Sequence, residues 1–197
     1  MTPPQLTEVE ALELLTQQYG LTGQLSALPG ERDRNFQLCL ASGEKNTFKV
    51  VSADVPLESL KVEIQAMQHL NSELGSLVPH PLADQAGRFI SQVSLQNGRS
   101  CWLRLQSWQP GIPLAEFRPH TTELFHSVGH LMGQVATSLS TLAGPDPHPD
   151  LPWHPDQASQ IVEDCLSLVA DPLLKNFLEQ ALRLYDRYGR PLETDLP

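Results

Sequence analysis

The sequence predicts an α+β fold: five antiparallel strands with one inserted helix, followed by helices alone. Three observations carry this expectation. Short runs of alternating apolar and polar residues, joined by tight turns, recur before residue 110. One segment of clear helical period interrupts them, and after Pro110-Gly111 every periodic segment is helical. A β-rich part is therefore expected over 1–110 and a helical part over 111–197.

The first element is a short helix, Thr7 to Tyr19, with Val9, Leu12 and Leu15 on one face, a Thr cap, acidic residues in its first turn and Gly20 as its stop. Three strands follow between Leu25 and Ala53. The middle one alternates Phe36, Leu38 and Leu40 with Gln37 and Cys39, and Gly43-Glu44-Lys45-Asn46 has the composition of a hairpin turn. Pro56 to Leu74 is the inserted helix, with Leu57, Leu60, Ile64, Met67, Leu70 and Leu74 at spacings of three and four. Two further strands, Arg88–Leu95 and Ser100–Trp108, flank an Asn97-Gly98 hairpin turn. Past the Gln109–Pro113 connector, helices are expected over Thr121–Ala143, Pro155–Ala170 and Pro172–Tyr188. The first of these carries Leu124, Val128, Leu131, Val135, Leu139 and Leu142 on one stripe.

Composition narrows the function classes. The chain has 197 residues, 40% hydrophobic and 18% charged, with a net charge of −10. That balance argues against a nucleic-acid partner, which needs basic patches, and suits a cationic substrate. No eighteen apolar residues follow one another and the amino terminus has no long apolar run, so neither a membrane span nor a signal peptide is expected, and the chain reads as cytoplasmic. Cys39, Cys101 and Cys165 sit in apolar strand or helix patterns and read as reduced, buried core thiols.

Lys49 is the residue that most invites a chemical reading, because it stands mid-strand between Phe48 and Val50. A lysine on a third strand, followed by a helix carboxylate able to reach it, is the phosphate-positioning pair of kinase-type nucleotide sites. Glu63 is the best-placed carboxylate, lying beside the apolar stripe between Leu60 and Met67. The alternative is that Lys49 marks a sheet edge and guards it against pairing with other chains. The turn from Pro29 to Asn35 is equally double-sided. Gly30, Arg32, Asp33 and Asn35 offer backbone N–H groups and an arginine to phosphates, or they form a charged surface turn. His126 and His130 stand four apart on one helix, but no glutamate follows His126 and no cysteine pair adds ligands, so no metal site is expected there. No G-x-S-x-G is present.

Taken together, LPGERDRNFQL, the strand ending FKVV, the helix ESLKVEIQAMQHL and the run LRLQSWQPGIPL resemble the amino-terminal half of aminoglycoside phosphotransferase and choline kinase-like small-molecule kinases. The likeness is strongest to a hydroxylysine kinase-like branch, some of whose relatives are fused to an aminotransferase. The resemblance implies a protein kinase-like amino-terminal lobe followed by helices of an incomplete carboxy-terminal lobe. It makes Lys49 the phosphate-contacting lysine and Glu63 its helix partner, and lays Pro29–Asn35 over the phosphates. It sets the Ser107 carbonyl and the Gln109 amide against adenine. ATP with Mg is the implied cofactor, and a small cationic hydroxyl-bearing amine or amino acid the implied substrate. Such kinases carry an H-x-D-x-x-x-x-N loop and a later metal-binding Asp. His148-Pro149-Asp150 and His154-Pro155-Asp156 have its first three letters, but no Asn stands five residues after either Asp. No catalytic or metal-binding residue is therefore expected in this chain, which reads as a fragment inactive alone and prone to self-association. The alternative reading is a non-catalytic kinase-like docking or regulatory module of a multidomain enzyme.

Overall fold

The protein is described by a computed structural model that covers residues 3–95, 97–142 and 157–195. The chain divides into two compact units, Met1–Pro145 and Asp146–Pro197. The helix that follows the Pro110-Gly111 connector therefore groups with the sheet.

In the first unit, α1 (Glu8–Tyr19) starts at a capping box in which Thr7 and Glu10 satisfy each other's backbone, and it ends at Gly20 in the left-handed region. Three strands follow: β1 (Gly23–Leu28), β2 (Arg34–Leu40) and β3 (Lys45–Ser52). Helix α2 (Leu57–Leu74) leads to β4 (Pro81–Leu82), β5 (Ser91–Ser94), β6 (Ser100–Ser107) and α3 (Thr122–Leu139). All pairings are antiparallel, in the order β1-β2-β3-β6, and β4 and β5 share the far edge of β6. The sheet thus has six strands among the described residues rather than five. The extra one is the two-residue β4, which is too short for alternation to reveal it. Strand β5 begins at Ser91 rather than Arg88, because residues 84–88 form a turn instead. The expected Asn97-Gly98 turn is present, with Gly98 at φ 77° and the Arg99 amide donating to the Asn97 side chain over 3.0 Å.

The two faces of the sheet differ in kind. Phe36, Leu38, Phe48, Val50, Cys101, Leu103 and Leu105 face one way and are almost fully buried with Ala11, Leu15 and Tyr19 of α1. Tyr19 meets Phe48 edge-on at 6.1 Å. Burying these side chains is the main source of stability in the unit. Helix α1 turns Ala11, Leu15 and Tyr19 inward and leaves Val9 68% exposed, so Val9 does not join the apolar face expected of it.

Asp84 pins the loop before β5. It accepts from the amides of Ala86 and Arg88, from the Arg88 guanidinium and from the Ser91 hydroxyl, with its own side chain fully sealed. Burial pushes its carboxyl up, but the bonds from Ser91, Arg88 and Ala86 outweigh this and hold it down at about 2.

The second unit contains α4 (Ala158–Cys165) and α5 (Pro172–Leu184), the latter capped by Asp171 with Pro172 at its first position. Helix α4 is shorter than the Pro155–Ala170 span predicted from periodicity, and a 3-10 turn over Leu166–Leu168 ends it. Of the three cysteines only Cys101 is buried, and burial raises its thiol to about 11. Cys39 is half-buried and Cys165 exposed, which corrects the expectation of three core thiols.

Candidate functional site

Lys49 stands on the sheet face opposite α1. Its neighbours Phe48 and Val50 are fully buried, so strand alternation turns Lys49 away from the core. Directly across the ladders stand Asn35 on β2 and Arg104 on β6. Residues paired in this way share a face, so Asn35, Lys49 and Arg104 form one row of polar groups across three strands. Strand β3 is paired on both sides, so Lys49 is not an edge guard.

The turn over Pro29–Asn35 closes on this row. A Cβ on Gly30 would lie 2.2 Å from the Asp33 carbonyl oxygen and 2.8 Å from the Asn35 amide nitrogen, so the backbone can fold back on itself only with glycine there. The Asn35 side chain donates to the Pro29 carbonyl at 3.4 Å. Asp33 reaches the Lys49 ammonium at 3.1 Å, with both side chains mostly covered. Arg32 is half-buried in the same turn.

Glu63 on α2 does approach the row, but its partner is Arg104, whose guanidinium it contacts at 2.5 Å. The structure therefore pairs Lys49 with Asp33 and Glu63 with Arg104, a different pairing from the Lys49–Glu63 couple read from spacing. The Arg104 side chain is 3% exposed and that of Glu63 54%. Two buried polar atoms in the row have no partner in the structure: Asn35 Oδ1 and Arg104 Nε. Buried polar atoms normally find partners; the Tyr19 and Ser138 hydroxyls lack one elsewhere, but this row holds two, which leaves room for something polar.

Arg104 was missed by sequence reasoning, although the signal was there. It stands between Leu103 and Leu105 as Lys49 stands between Phe48 and Val50. A charge flanked by core residues in an alternating strand is thus the signal at both positions.

The connector positions lie at the end of β6. Ser107 exchanges two hydrogen bonds with His80, its amide donating to the His80 carbonyl and its hydroxyl accepting from the His80 amide, each over 3.0 Å. Ser107, Trp108 and Pro110 line an open cleft of about 400 Å³ with Lys45, Asn46 and His80. Gln109 is half-buried two residues beyond the strand. Strands β3 and β6 carry the Asn46–Ser107 pair and the Lys49–Arg104 pair at separate register positions, so the structure gathers the sequence-derived candidates into two groups.

Two cations and a spare Arg104 N–H on one face fit an anionic, oxygen-rich group such as a nucleotide phosphate, whereas the spare Asn35 Oδ1 is an acceptor and calls for a donor. Among the described residues no three His, Cys, Asp or Glu come together as metal ligands. His126 and His130 are exposed on α3, and His148 and His154 lie outside the described residues.

No family model matches the chain, and no curated protein matches it. Solved structures similar in fold include two small-molecule kinases. One is an amicoumacin kinase, hAmiN, in complex with AMP-PNP, Ca2+ and Ami, with a TM-score of 0.63 and 17% identity over 90% of this chain and 54% of that one. Another is a microcompartment-associated aminopropanol kinase, with a TM-score of 0.58 and 12% identity over 81% of this chain and 56% of that one. The chain thus spans about half the length of these structures. At this level of identity the likeness speaks for the fold, and the α+β architecture read from the sequence is one these two structures share.

Proposed function

We propose that this chain is the nucleotide-binding part of a small-molecule phosphotransferase of the aminoglycoside phosphotransferase and choline kinase-like type, on its hydroxylysine kinase-like branch. The reaction is transfer of the γ-phosphoryl group of ATP to a hydroxyl of a small cationic amine or amino acid. The observation that carries this reading is the row Asn35–Lys49–Arg104 beneath a turn that folds over it. The kinase-like fold supports it, as does the hAmiN complex, which holds AMP-PNP and Ca2+.

In this reading Lys49 binds the phosphates, which spread negative charge over several oxygens and reward a fixed cation. Gly30, Arg32, Asp33 and Asn35 cover them, and Ser107 and Gln109 meet the adenine edge. ATP with Mg supplies the transferable phosphoryl group and its charge neutralisation. In this reading neither the base nor the metal ligands are among these 197 residues, which span 54% of hAmiN. Domain parts at 1–110 and 111–197 and a cytoplasmic setting belong to the same proposal.

Calorimetric titration of the wild type and Lys49→Ala with ADP and AMP-PNP tests it. Removing a charge-assisted phosphate contact should weaken binding at least about 10-fold. Equal affinities in the two proteins would remove Lys49 from the site.

A second reading, a non-catalytic docking or regulatory module, is favoured by one observation: Lys49 is already engaged by Asp33. Failure of both proteins to bind nucleotide at millimolar concentration would favour it.

A further inference from the structure

We propose that Arg104 is the second, fixed charge of the phosphate site, set behind Lys49 by Glu63. It would make the site select nucleoside di- and triphosphates over the uncharged nucleoside. This inference rests on the nucleotide reading above and adds a residue to it.

Stability alone gives a poor account of Arg104. A guanidinium sealed to 3% exposure loses its water, and a single carboxylate that is itself 54% exposed returns only part of that loss. Its Nε is buried without a partner. Its cross-strand neighbour is another cation, Lys49, and like charges directly opposite one another destabilise a sheet. An apolar side chain between Leu103 and Leu105 would serve folding better. The arrangement makes physical sense if an anion shares the two charges.

The two cations are then suited to different tasks. Lys49 is the more exposed, and its partner Asp33 comes from a turn. Arg104 is held by a carboxylate on a long helix and is covered. Lys49 can therefore make direct contact, while Arg104 contributes field from a position that solvent hardly screens. Arg104 is in this sense a positioning residue: its charge acts on the phosphates beside Lys49, and its tie to Glu63 ties the orientation of α2 to the same point.

The test compares adenosine, ADP and AMP-PNP binding to the full chain as wild type, Arg104→Met and Arg104→Lys. The informative quantity is the ratio of ADP to adenosine affinity, because a purely structural brace between α2 and the sheet would leave that ratio unchanged. Arg104→Met should lower the ratio about 10-fold, the scale of one charge removed at short range from a partly buried anion. Arg104→Lys, which keeps the charge, should recover most of it. If Arg104→Met does not fold, Arg104→Gln takes its place with the same expectation. A ratio unchanged in the neutral variants, or an Arg104→Lys ratio as low as theirs, overturns the inference while the nucleotide reading stands. A wild type that binds ADP no better than adenosine overturns the nucleotide reading itself, and the inference with it.

Discussion

Lys49 carries its charge one residue away from two of the most deeply buried side chains in the protein, Phe48 and Val50. Its ammonium is tied to Asp33, with the side chains 24% and 20% exposed. A pair so placed is worth about 1 kcal/mol or less once desolvation and side-chain ordering are counted, so an incoming phosphate can displace the carboxylate. Asp33→Asn should therefore tighten ADP binding by up to about 5-fold at low salt, measured by calorimetry, with the gain shrinking as salt rises. Weaker ADP binding in Asp33→Asn would mean that the carboxylate helps to hold the ligand rather than competing with it.

At the scale of elements, Asp84 is the counterpart of a helix cap: one sealed carboxylate that organises the turn leading into β5. Asp84→Ala leaves two amides, a hydroxyl and Arg88 without their acceptor and should cost about 3 kcal/mol in chemical denaturation. The native carboxyl titrates at about 2 against an ordinary 3.8, so its contribution is complete above about pH 4 and is lost as pH falls through 2. That contribution amounts to about 2 kcal/mol at neutral pH, and Asp84→Asn should flatten the acid limb of the stability profile by a similar amount. Neither Asp84 nor β4 was legible in the sequence. The apolar pattern that announces β2, α2 and β6 arises from burying surface, whereas VPHPLAD signals its structure through hydrogen bonds that only the folded chain closes. Lys49, Glu63 and the turn were legible as single residues. Their pairing was not, because helical and strand periods say which face a side chain takes and not which of two cations a carboxylate meets. The Thr cap of α1 was legible, and the box that Glu10 closes with Thr7 lies three residues away and needs no partner from elsewhere.

At the scale of the whole molecule, the described surface is unusually apolar in places. Phe125 and Met132 of α3 are 53% and 61% exposed, and Leu173 and Phe177 of α5 are 81% and 65% exposed. Exposed apolar groups in such numbers favour association. The 197-residue chain should sediment as a mixture of monomer and larger species at tens of micromolar, and Phe177→Glu with Met132→Glu should shift it to monomer. A wild type that stays monomeric at that concentration would contradict this. The polar row on β2, β3 and β6 has a different consequence. Phe48 and Lys49 are adjacent on one strand, so sliding β3 by a single residue would drive an ammonium into the core and a phenyl ring out of it. Folding thus proofreads the site: a chain that has reached its stable state has already put both cations on the same side, and molecules with a solid core and a scrambled polar row are excluded from the population.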